Sequence, residues 1–209
     1  MAVDGIIFDL DGTLWDSCRV VAESWTRTMQ QVYGSERVFT VDDIKAIMGL
    51  TATEIGAKLF PDHGDRAMEL CLRCMDDELD YISDHSGDVY PGVEEMLSQL
   101  SRRWPLFIVS NCQTGYVEAF LTYSGFGKYF KDYEYLGRQG LSKAENIRLI
   151  IERHALGKCV YVGDTAHDAK SAHSAGCDFV FAAYGFGKAT EYEAVIESPA
   201  ELPSVLSVM

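Results

Sequence analysis

Two carboxylates stand at the end of a short apolar run near the start of the chain. Residues 6–8 (Ile-Ile-Phe) are β-branched and aromatic, and Gly12 closes the segment, so a buried parallel strand is predicted. Asp9 and Asp11 follow the run and share one side of the chain if the extended geometry continues. Two carboxylates this close repel each other unless a cation lies between them. The pair predicts a ligand-binding strand end, with an ordinary acidic turn as the alternative.

The residues after this pair, and after a second apolar run, could hold an anion. Gly12 allows the backbone to turn sharply, and Thr13 adds a hydroxyl and backbone N–H groups. Residues 105–110 predict a second buried strand, which ends at Ser110 and is followed by Asn111. A serine that ends a strand is common in ordinary turns, so Ser110 alone does not identify a site.

One lysine occupies an electrostatically unfavourable position. Ser142 and Glu145 have the spacing of a capping box, which predicts a helix over residues 142–156. Lys143 then lies in the first turn, at the positive end of the helix dipole. This position predicts a compensating anion close to Lys143, with a solvent-facing side chain as the alternative.

A further apolar run also ends in a carboxylate. Residues 159–164 predict a buried strand that ends at Asp164, and Asp168 follows four residues later. If a helix has begun by then, both carboxylates point the same way. His167 lies between them and is interpreted as a surface histidine in the first helical turn.

Between the first carboxylate pair and Tyr90, the chain has helical patterns where a second strand would be expected. Apolar spacing and capping residues predict helices over 17–34, 40–49 and 51–61, and a longer fourth helix that ends near residue 85. Four such helices can form a small bundle with its own core. The apolar stripes expected to form that core are Val21, Trp25, Met29 and Val32 on the first helix, and Met68, Leu72, Met75, Leu79 and Ile82 on the fourth.

Composition limits the class of protein. The 209 residues carry a formal net charge of −14, so the surface should repel nucleic acid and anionic membranes. No signal-peptide pattern and no apolar stretch of about 20 residues is present, which predicts a soluble, cytoplasmic protein. Six scattered cysteines have the distribution of small buried hydrophobes, and the Cys71 and Cys74 pair lies inside a helical pattern. Because the net charge is −14, any anionic substrate must be attracted by local positive charge.

Taken in chain order, these segments resemble the four motifs of the haloacid dehalogenase superfamily of phosphohydrolases. The matching residues are DLDGT at 9–13, Ser110, Lys143 and the GDxxxD pattern at 163–168. The resemblance implies an α/β fold with a doubly wound, mostly parallel, Rossmann-type sheet and an inserted α-helical cap domain. The catalytic core is predicted in residues 1–15 and 89–209, and the cap in residues 16–88.

The resemblance also implies roles for individual residues. Asp9 would be the nucleophile that forms an aspartyl phosphate, and Asp11 the general acid and base. Ser110 and Lys143 would hold the phosphoryl oxygens. The implied cofactor is Mg²⁺, with ligands at Asp9, the Asp11 carbonyl, Asp164 and Asp168. Residues implied in substrate binding are Thr13, Asn111, Met48, Gly49, Leu50 and Thr51.

The function implied is hydrolysis of a small phosphate monoester by a magnesium-dependent phosphatase. The cap segment 48–51 is similar to that of phosphoglycolate phosphatase-like members, but it contains no charged anchor. The alternatives are a β-phosphoglucomutase-like mutase, an inorganic pyrophosphatase and, from another class, a phospho-accepting signalling domain. That last class needs neither the cap nor an acid two residues after the nucleophile. The expected partner is a small phosphorylated metabolite, and the expected state is a monomer or a weak homodimer.

Overall fold

The computed structural model describes residues 3–85 and 87–209. Within them the chain divides into two compact units. The first unit comprises the chain up to Asp16 together with Val89–Met209, and the second comprises Ser17–Asp88. Among the described residues, no helix has both the length and the apolar character that crossing a membrane requires.

The strands of the described chain form a six-stranded sheet and a separate two-stranded sheet. The large sheet has the order β5-β4-β1-β6-β7-β8, and all its neighbouring strands are parallel; the small sheet pairs β2 with β3. The strands are β1 Gly5–Phe8, β2 Trp15–Asp16, β3 Asp88–Val89, β4 Leu106–Ser110, β5 Phe130–Tyr135, β6 Cys159–Gly163, β7 Asp178–Ala182 and β8 Ala194–Ile196.

Helices connect the strands of the first unit and make up most of the second. The second unit contains α1 Cys18–Tyr33, α2 Val41–Lys45, α3 Ala52–Leu59 and α4 Arg66–Asp84. The first unit contains α5 Val93–Leu100, α6 Tyr116–Ser124, α7 Leu136–Gln139, α8 Lys143–Arg153, α9 Ala166–Ala175 and α10 Leu202–Leu206.

The central strands of the large sheet are buried along their whole length. Every residue of β1, β4 and β6 is buried, as expected for parallel strands that helices cover on both faces. One core layer combines sheet residues such as Phe107 and Tyr161 with Ile147 and Ile150 of α8. The predicted doubly wound, mostly parallel α/β class is confirmed.

The strand order also fixes where a ligand can bind. From β1 the chain builds the sheet outward in one direction through β4 and β5, and in the other through β6, β7 and β8. The carboxyl end of β1 is therefore the point at which the winding direction reverses. In open α/β sheets this switch point is where ligands bind.

The buried face of α4 differs from the predicted apolar stripe. Met68 is 37% exposed and Leu72 is 47% exposed, so these two large residues do not belong to the core. Ile82 is buried as predicted, and the rest of the buried face consists of Ala67, Leu70, Cys71, Cys74 and Glu78. On α1, Val32 is likewise exposed, whereas Val21, Trp25 and Met29 are buried as predicted.

The burial of Glu78 gives the physical reason for the shifted face. The indole N–H of Trp25 on α1 donates a hydrogen bond to a carboxylate oxygen of Glu78. A buried carboxylate needs such a donor, and a pattern of apolar spacing cannot anticipate one. The prediction was wrong at Met68 and Leu72, because it chose the largest apolar residues for the stripe and left Cys71 and Cys74 out of it.

The predicted ends of several other elements also differ from the observed ones. Helix α2 ends at Lys45 rather than near Gly49, and residues 46–49 continue as turns. Strand β8 and helix α7 were not predicted, because each is short and neither has a clear apolar period. These differences lie away from the strand ends that carry the candidate residues.

Candidate active site

Three neighbouring strands bring the candidate polar residues to one edge of the large sheet. Phe8 of β1 pairs with Ile108 of β4 and with Val162 of β6. Asp9, Ser110 and Asp164 therefore lie where these three parallel strands end. All three are buried, with exposures of 6%, 4% and 1% respectively.

Lys143 reaches this edge from the first turn of α8. Its ammonium donates hydrogen bonds to Asp9 Oδ1 at 3.0 Å and to Asp168 Oδ1 at 2.6 Å. The side chain is 3% exposed, so both ion pairs are shielded from solvent. The helix begins there because Ser142 and Glu145 form the predicted capping box. The unfavourable position of Lys143 in the helix dipole is thus offset by two carboxylates.

Asp168 links the lysine to the start of α9. Its Oδ2 accepts hydrogen bonds from the backbone N–H of Thr165 at 3.0 Å and from the Thr165 hydroxyl at 2.6 Å. Thr165 in turn accepts from the Asp168 backbone N–H, which completes a capping box. Both oxygens of Asp168 are therefore engaged, one by Lys143 and the other by the cap. The side chain has one fixed orientation.

Asp164 has one engaged oxygen and one without a partner. Oδ2 accepts backbone N–H groups from Phe186 at 2.7 Å and from Gly187 at 3.2 Å. Oδ1 is buried and has no hydrogen-bond partner among the described residues. Gly12 packs directly on this carboxylate with φ +79°, and a Cβ at that position would collide with Oδ2. Only glycine satisfies both demands at position 12.

Asp11 is held by two aromatic donors that the sequence did not indicate as site residues. The Trp15 indole N–H donates to Asp11 Oδ1 at 3.0 Å, and the Tyr116 hydroxyl donates to the same oxygen at 2.9 Å. Both aromatic side chains are buried, and their rings contact each other edge to face. Tyr116 is 105 residues from Asp11 in the chain, so no local sequence signal links them.

The remaining candidate residues lie in two different places. Thr13 is fully buried in the turn after β1, and its hydroxyl oxygen has no partner among the described residues. Asn111 is half-buried directly after β4. The segment 48–51 belongs to the second unit, where Thr51 caps α3 in a capping box with Glu54. Of that segment, the residues before Thr51 are half-buried.

Burial and charge crowding dominate the electrostatics of the cluster. Burial, with help from Asp168 and Asp164, holds the pKa of Asp9 well above its ordinary value, although Lys143 opposes this shift. Burial and Asp168 raise the pKa of Asp164 to about 7, against the effect of its two backbone N–H donors. Burial alone would lower the pKa of Lys143, but Asp168 and Asp9 raise it. The lysine is charged at neutral pH. The positive charge near Asp9 and Asp164 is too small to offset the effect of burial and crowding on their pKa values.

The same cluster has the donor set that a hard divalent cation requires. Asp9, Asp164 and Asp168 are buried and each offers an oxygen within 4.8 Å of the others. Carboxylate oxygens suit Mg²⁺ or Ca²⁺. The strongest sign of a cation site is the unpartnered Asp164 Oδ1. A buried carboxylate oxygen without a hydrogen-bond donor costs free energy unless a ligand binds to it. The residues present fit a bound cation.

Comparison with known proteins identifies the family. The model of the haloacid dehalogenase-like hydrolases matches residues 6–182, which include all four motif positions. The chain belongs to the haloacid dehalogenase-like hydrolases, as the resemblance of its motifs predicted.

Relatives and solved structures agree with this family. A phosphoglycolate phosphatase of Photobacterium profundum is 30% identical over 193 residues, covering 87% of this chain and 83% of the relative. Pyrophosphatase PpaX of Listeria monocytogenes is 26% identical over 180 residues, covering 81% of this chain and 78% of the relative. A haloacid dehalogenase-like hydrolase from Streptococcus pneumoniae has the same fold, with a TM-score of 0.85 at 21% identity over 97% of this chain and 98% of that one.

The charge crowding predicts that Asp164→Asn stabilises the metal-free protein at alkaline pH. The pKa of Asp164 is about 7 when folded against an ordinary value of 3.8. The stability gained from its protonation is thus present below pH 3.8 and is lost as the pH rises through about 7. At pH 8 the melting temperature of Asp164→Asn should exceed that of the wild type by several degrees, since about 1 kcal/mol shifts it by roughly 2–4 °C at this length.

The measurement is thermal unfolding in EDTA at pH 5, 6.5 and 8, with the exposed Asp62→Asn as the matched control. The advantage of Asp164→Asn should shrink toward pH 5, and Asp62→Asn should melt like the wild type throughout. A difference that is independent of pH would show that the Asp164 charge does not destabilise the folded state.

Proposed function

We propose that this chain is a magnesium-dependent phosphatase that hydrolyses a small phosphate monoester through a phosphorylated Asp9. The observation that supports it most is the buried ion pair between Lys143 and Asp9, 3.0 Å apart at the carboxyl end of β1. A carboxylate held next to a buried ammonium, with an acid two residues further on, meets the needs of a phosphoryl transfer. The phosphatase names of relatives such as the one from Photobacterium profundum are consistent with this reaction.

The chemistry is divided among the residues of the strand ends. Asp9 attacks the phosphorus atom, the P–O bond to the leaving group breaks, and the phosphoryl group is transferred to the Asp9 carboxylate. Asp11 donates a proton to the departing alkoxide oxygen and then accepts one from the water that attacks the phosphoryl group. Inorganic phosphate leaves and Asp9 is regenerated as a carboxylate.

Lys143 and Ser110 would stabilise the phosphoryl oxygens. Lys143 is already ordered by Asp168, so its charge needs little rearrangement when the phosphoryl group arrives. Ser110 supplies a hydroxyl from the end of β4. The net charge of −14 makes this local cation necessary for binding an anionic substrate.

The cation would be held by Asp9, Asp164 and the carbonyl of Asp11. We assign Asp168 mainly to orienting Lys143, because both of its oxygens already accept hydrogen bonds. When bound, Mg²⁺ supplies positive charge that lowers the repulsion between the nucleophile and the phosphate. It would also lower the pKa values of Asp9 and Asp164, so that both are ionised at neutral pH.

The substrate would be a small phosphorylated metabolite, with the segment 48–51 of the second unit choosing among leaving groups. Phosphoglycolate-like esters are the first candidates, because relatives carry that name. Inorganic pyrophosphate is the second, because several relatives of similar coverage are named pyrophosphatase PpaX. A phosphosugar mutase remains the alternative with the same motifs. A cytoplasmic location and a monomer or weak homodimer remain predictions.

Replacing the nucleophile should abolish turnover while the fold is retained. Asp9→Asn should reduce release of inorganic phosphate by on the order of 10⁴–10⁶-fold, the range found when a nucleophile or an essential partner is removed. The assay is phosphate release from a panel of small esters and pyrophosphate with Mg²⁺, where chelation by EDTA should also abolish wild-type turnover. The exposed Asp62→Asn serves as the control and should retain activity. Normal turnover by a folded Asp9→Asn protein would disprove the mechanism.

The two donors to Asp11 predict a dependence on the leaving group. Tyr116→Phe removes one hydrogen bond to Asp11 Oδ1, so the acid is held less firmly. An alkyl phosphate needs a proton on its leaving oxygen, and its kcat/KM should fall about tenfold, a fraction of what general acid catalysis supplies. For p-nitrophenyl phosphate, whose leaving group needs little protonation, the fall should be about twofold or less.

The control for this experiment is Tyr123→Phe, which makes the same change at a 54% exposed position on the same helix. Tyr123→Phe should leave kcat/KM for both substrates unchanged. Equal losses for the alkyl and the nitrophenyl ester in Tyr116→Phe would mean that Tyr116 does not act through the acid.

The second unit is expected to set substrate preference without taking part in the chemistry. Leu50→Arg places a cation in the segment 48–51, which has no charged residue, and should change the ranking among phosphate esters in favour of those with anionic leaving groups. The measurement is kcat/KM over the ester panel. Val38→Arg makes a similar change at a 62% exposed position of the same unit and should preserve the ranking. An unchanged ranking in Leu50→Arg would contradict this role.

A further inference from the structure

A loop after β7 contacts both the turn after β1 and the carboxylate that ends β6. Residues 184–187 (Tyr-Gly-Phe-Gly), here called the 184–187 loop, begin two residues after Ala182, the carboxyl end of β7. Its sequence carries none of the four family motifs and has no charged side chain. Its contacts nevertheless include Asp164, one of the residues that would hold the cation.

The loop encloses one side of Asp164 with backbone groups. Phe186 and Gly187 donate N–H groups to Asp164 Oδ2 at 2.7 and 3.2 Å. With Oδ2 held by two donors, the carboxylate cannot rotate freely, and Oδ1 is left as the oxygen without a partner among the described residues. The loop therefore determines which oxygen of Asp164 is presented to the acidic cluster.

Position 185 allows no side chain. A Cβ on Gly185 would collide with the Gly12 carbonyl oxygen and with the Asp164 Cβ, and it would lie 2.6 Å from Asp164 Oδ2. The Gly12 carbonyl belongs to the backbone and the Asp164 Cβ is bonded directly to it, so neither of these two atoms can move aside as the end of a flexible side chain could. The loop backbone thus fits into the angle between the turn after β1 and the carboxylate of Asp164.

Tyr184 fastens the loop to the turn after β1. Its hydroxyl donates a hydrogen bond to the Thr13 carbonyl at 2.8 Å, and its ring packs edge to face on Tyr90. The turn into the loop is held by separate bonds, from Gly185 N–H to the Ala182 carbonyl, and from Ala183 N–H to the Ile196 carbonyl at the end of β8. The contacts to Asp164 and Thr13 are therefore not required merely to close the loop.

We propose that the 184–187 loop is a positioning element for cation binding, which fixes Asp164 Oδ1 toward the acidic cluster and couples that carboxylate to the turn carrying Asp9 and Asp11. The inference rests on the proposed function in that it takes Asp164 to be a cation ligand. Groups that orient a metal ligand commonly change metal affinity by about 10–100-fold when they are lost. The residues that carry this role are Tyr184 and Gly185, neither of which touches the reacting atoms.

The test is calorimetric titration of Mg²⁺ into substrate-free protein. Gly185→Ala should weaken Mg²⁺ binding by about tenfold or more, because the loop must move away from Asp164. Tyr184→Phe, which removes only the hydrogen bond to Thr13, should weaken it several-fold. Gly127→Ala is the matched control, since its Cβ meets no atom within 4 Å and its φ is not positive, and it should bind Mg²⁺ like the wild type.

A second readout separates positioning from a general loss of structure. In phosphate-release assays, both loop variants should recover wild-type kcat at saturating Mg²⁺, with the defect confined to the Mg²⁺ concentration for half-maximal rate. Circular dichroism establishes that each variant is folded, and Tyr184→Phe decides the matter if Gly185→Ala does not fold.

The outcomes distinguish this inference from the proposed function. If the wild type binds Mg²⁺ and the folded variants Gly185→Ala and Tyr184→Phe bind it equally well, the proposed role of the loop is overturned. The phosphatase mechanism would then be left intact. Wild-type protein that binds neither Mg²⁺ nor Mn²⁺ would overturn both. A kcat defect in the loop variants that excess Mg²⁺ does not relieve would also contradict a positioning role.

Discussion

The structure of the site depends on one electrostatic constraint, namely that three buried carboxylates cluster around the ammonium of Lys143, which contacts two of them. Asp9 and Asp168 contact that ammonium at 3.0 and 2.6 Å, and Asp164 offers an oxygen within 4.8 Å of theirs. If all four groups are ionised, the cluster carries two excess negative charges, which is the charge that a divalent cation neutralises. Without a cation, burial and crowding favour protonation of Asp9 and Asp164, and in the proposed mechanism a protonated Asp9 would be a poor nucleophile. In the proposed mechanism, cation binding and activation of Asp9 as the nucleophile are thus two aspects of the same charge balance.

The fold supports this unfavourable cluster by fixing each member through its backbone. Asp9 and Asp164 extend from buried parallel strands that cannot shift without disturbing the core. Lys143 and Asp168 both lie in the first turns of helices closed by capping boxes. Because the groups are held before any ligand arrives, little reorganisation is needed when the phosphoryl group binds. In the proposed enzyme, such an arrangement would destabilise the metal-free state in exchange for a preorganised site, a common feature of catalytic centres.

Much of the core could be predicted from the sequence, because buried parallel strands give unmistakable apolar runs. Strand ends at Asp9, Ser110 and Asp164 followed from those runs, and the anion expected near Lys143 followed from its place in the helix dipole. On α4 the prediction was wrong at Met68 and Leu72, because Cys71, Cys74 and a hydrogen-bonded Glu78 belong to the buried face in their place. The partners of Asp11 and Asp164 could not be predicted. Tyr116 contacts Asp11 across a sequence separation of 105 residues, and the 184–187 loop contacts Asp164 through backbone N–H groups, which every sequence contains.

The claim that Asp9 carries the phosphoryl group can be tested most directly by trapping it. The protein is mixed with Mg²⁺ and a substrate, quenched in acid and treated with borohydride, which reduces an acyl phosphate to an alcohol but leaves a free carboxylate intact. Peptide mass spectrometry should then find homoserine in place of aspartate at position 9, and only when both substrate and Mg²⁺ were present. Reduction at another aspartate, or steady phosphate release with position 9 never reduced, would contradict the account.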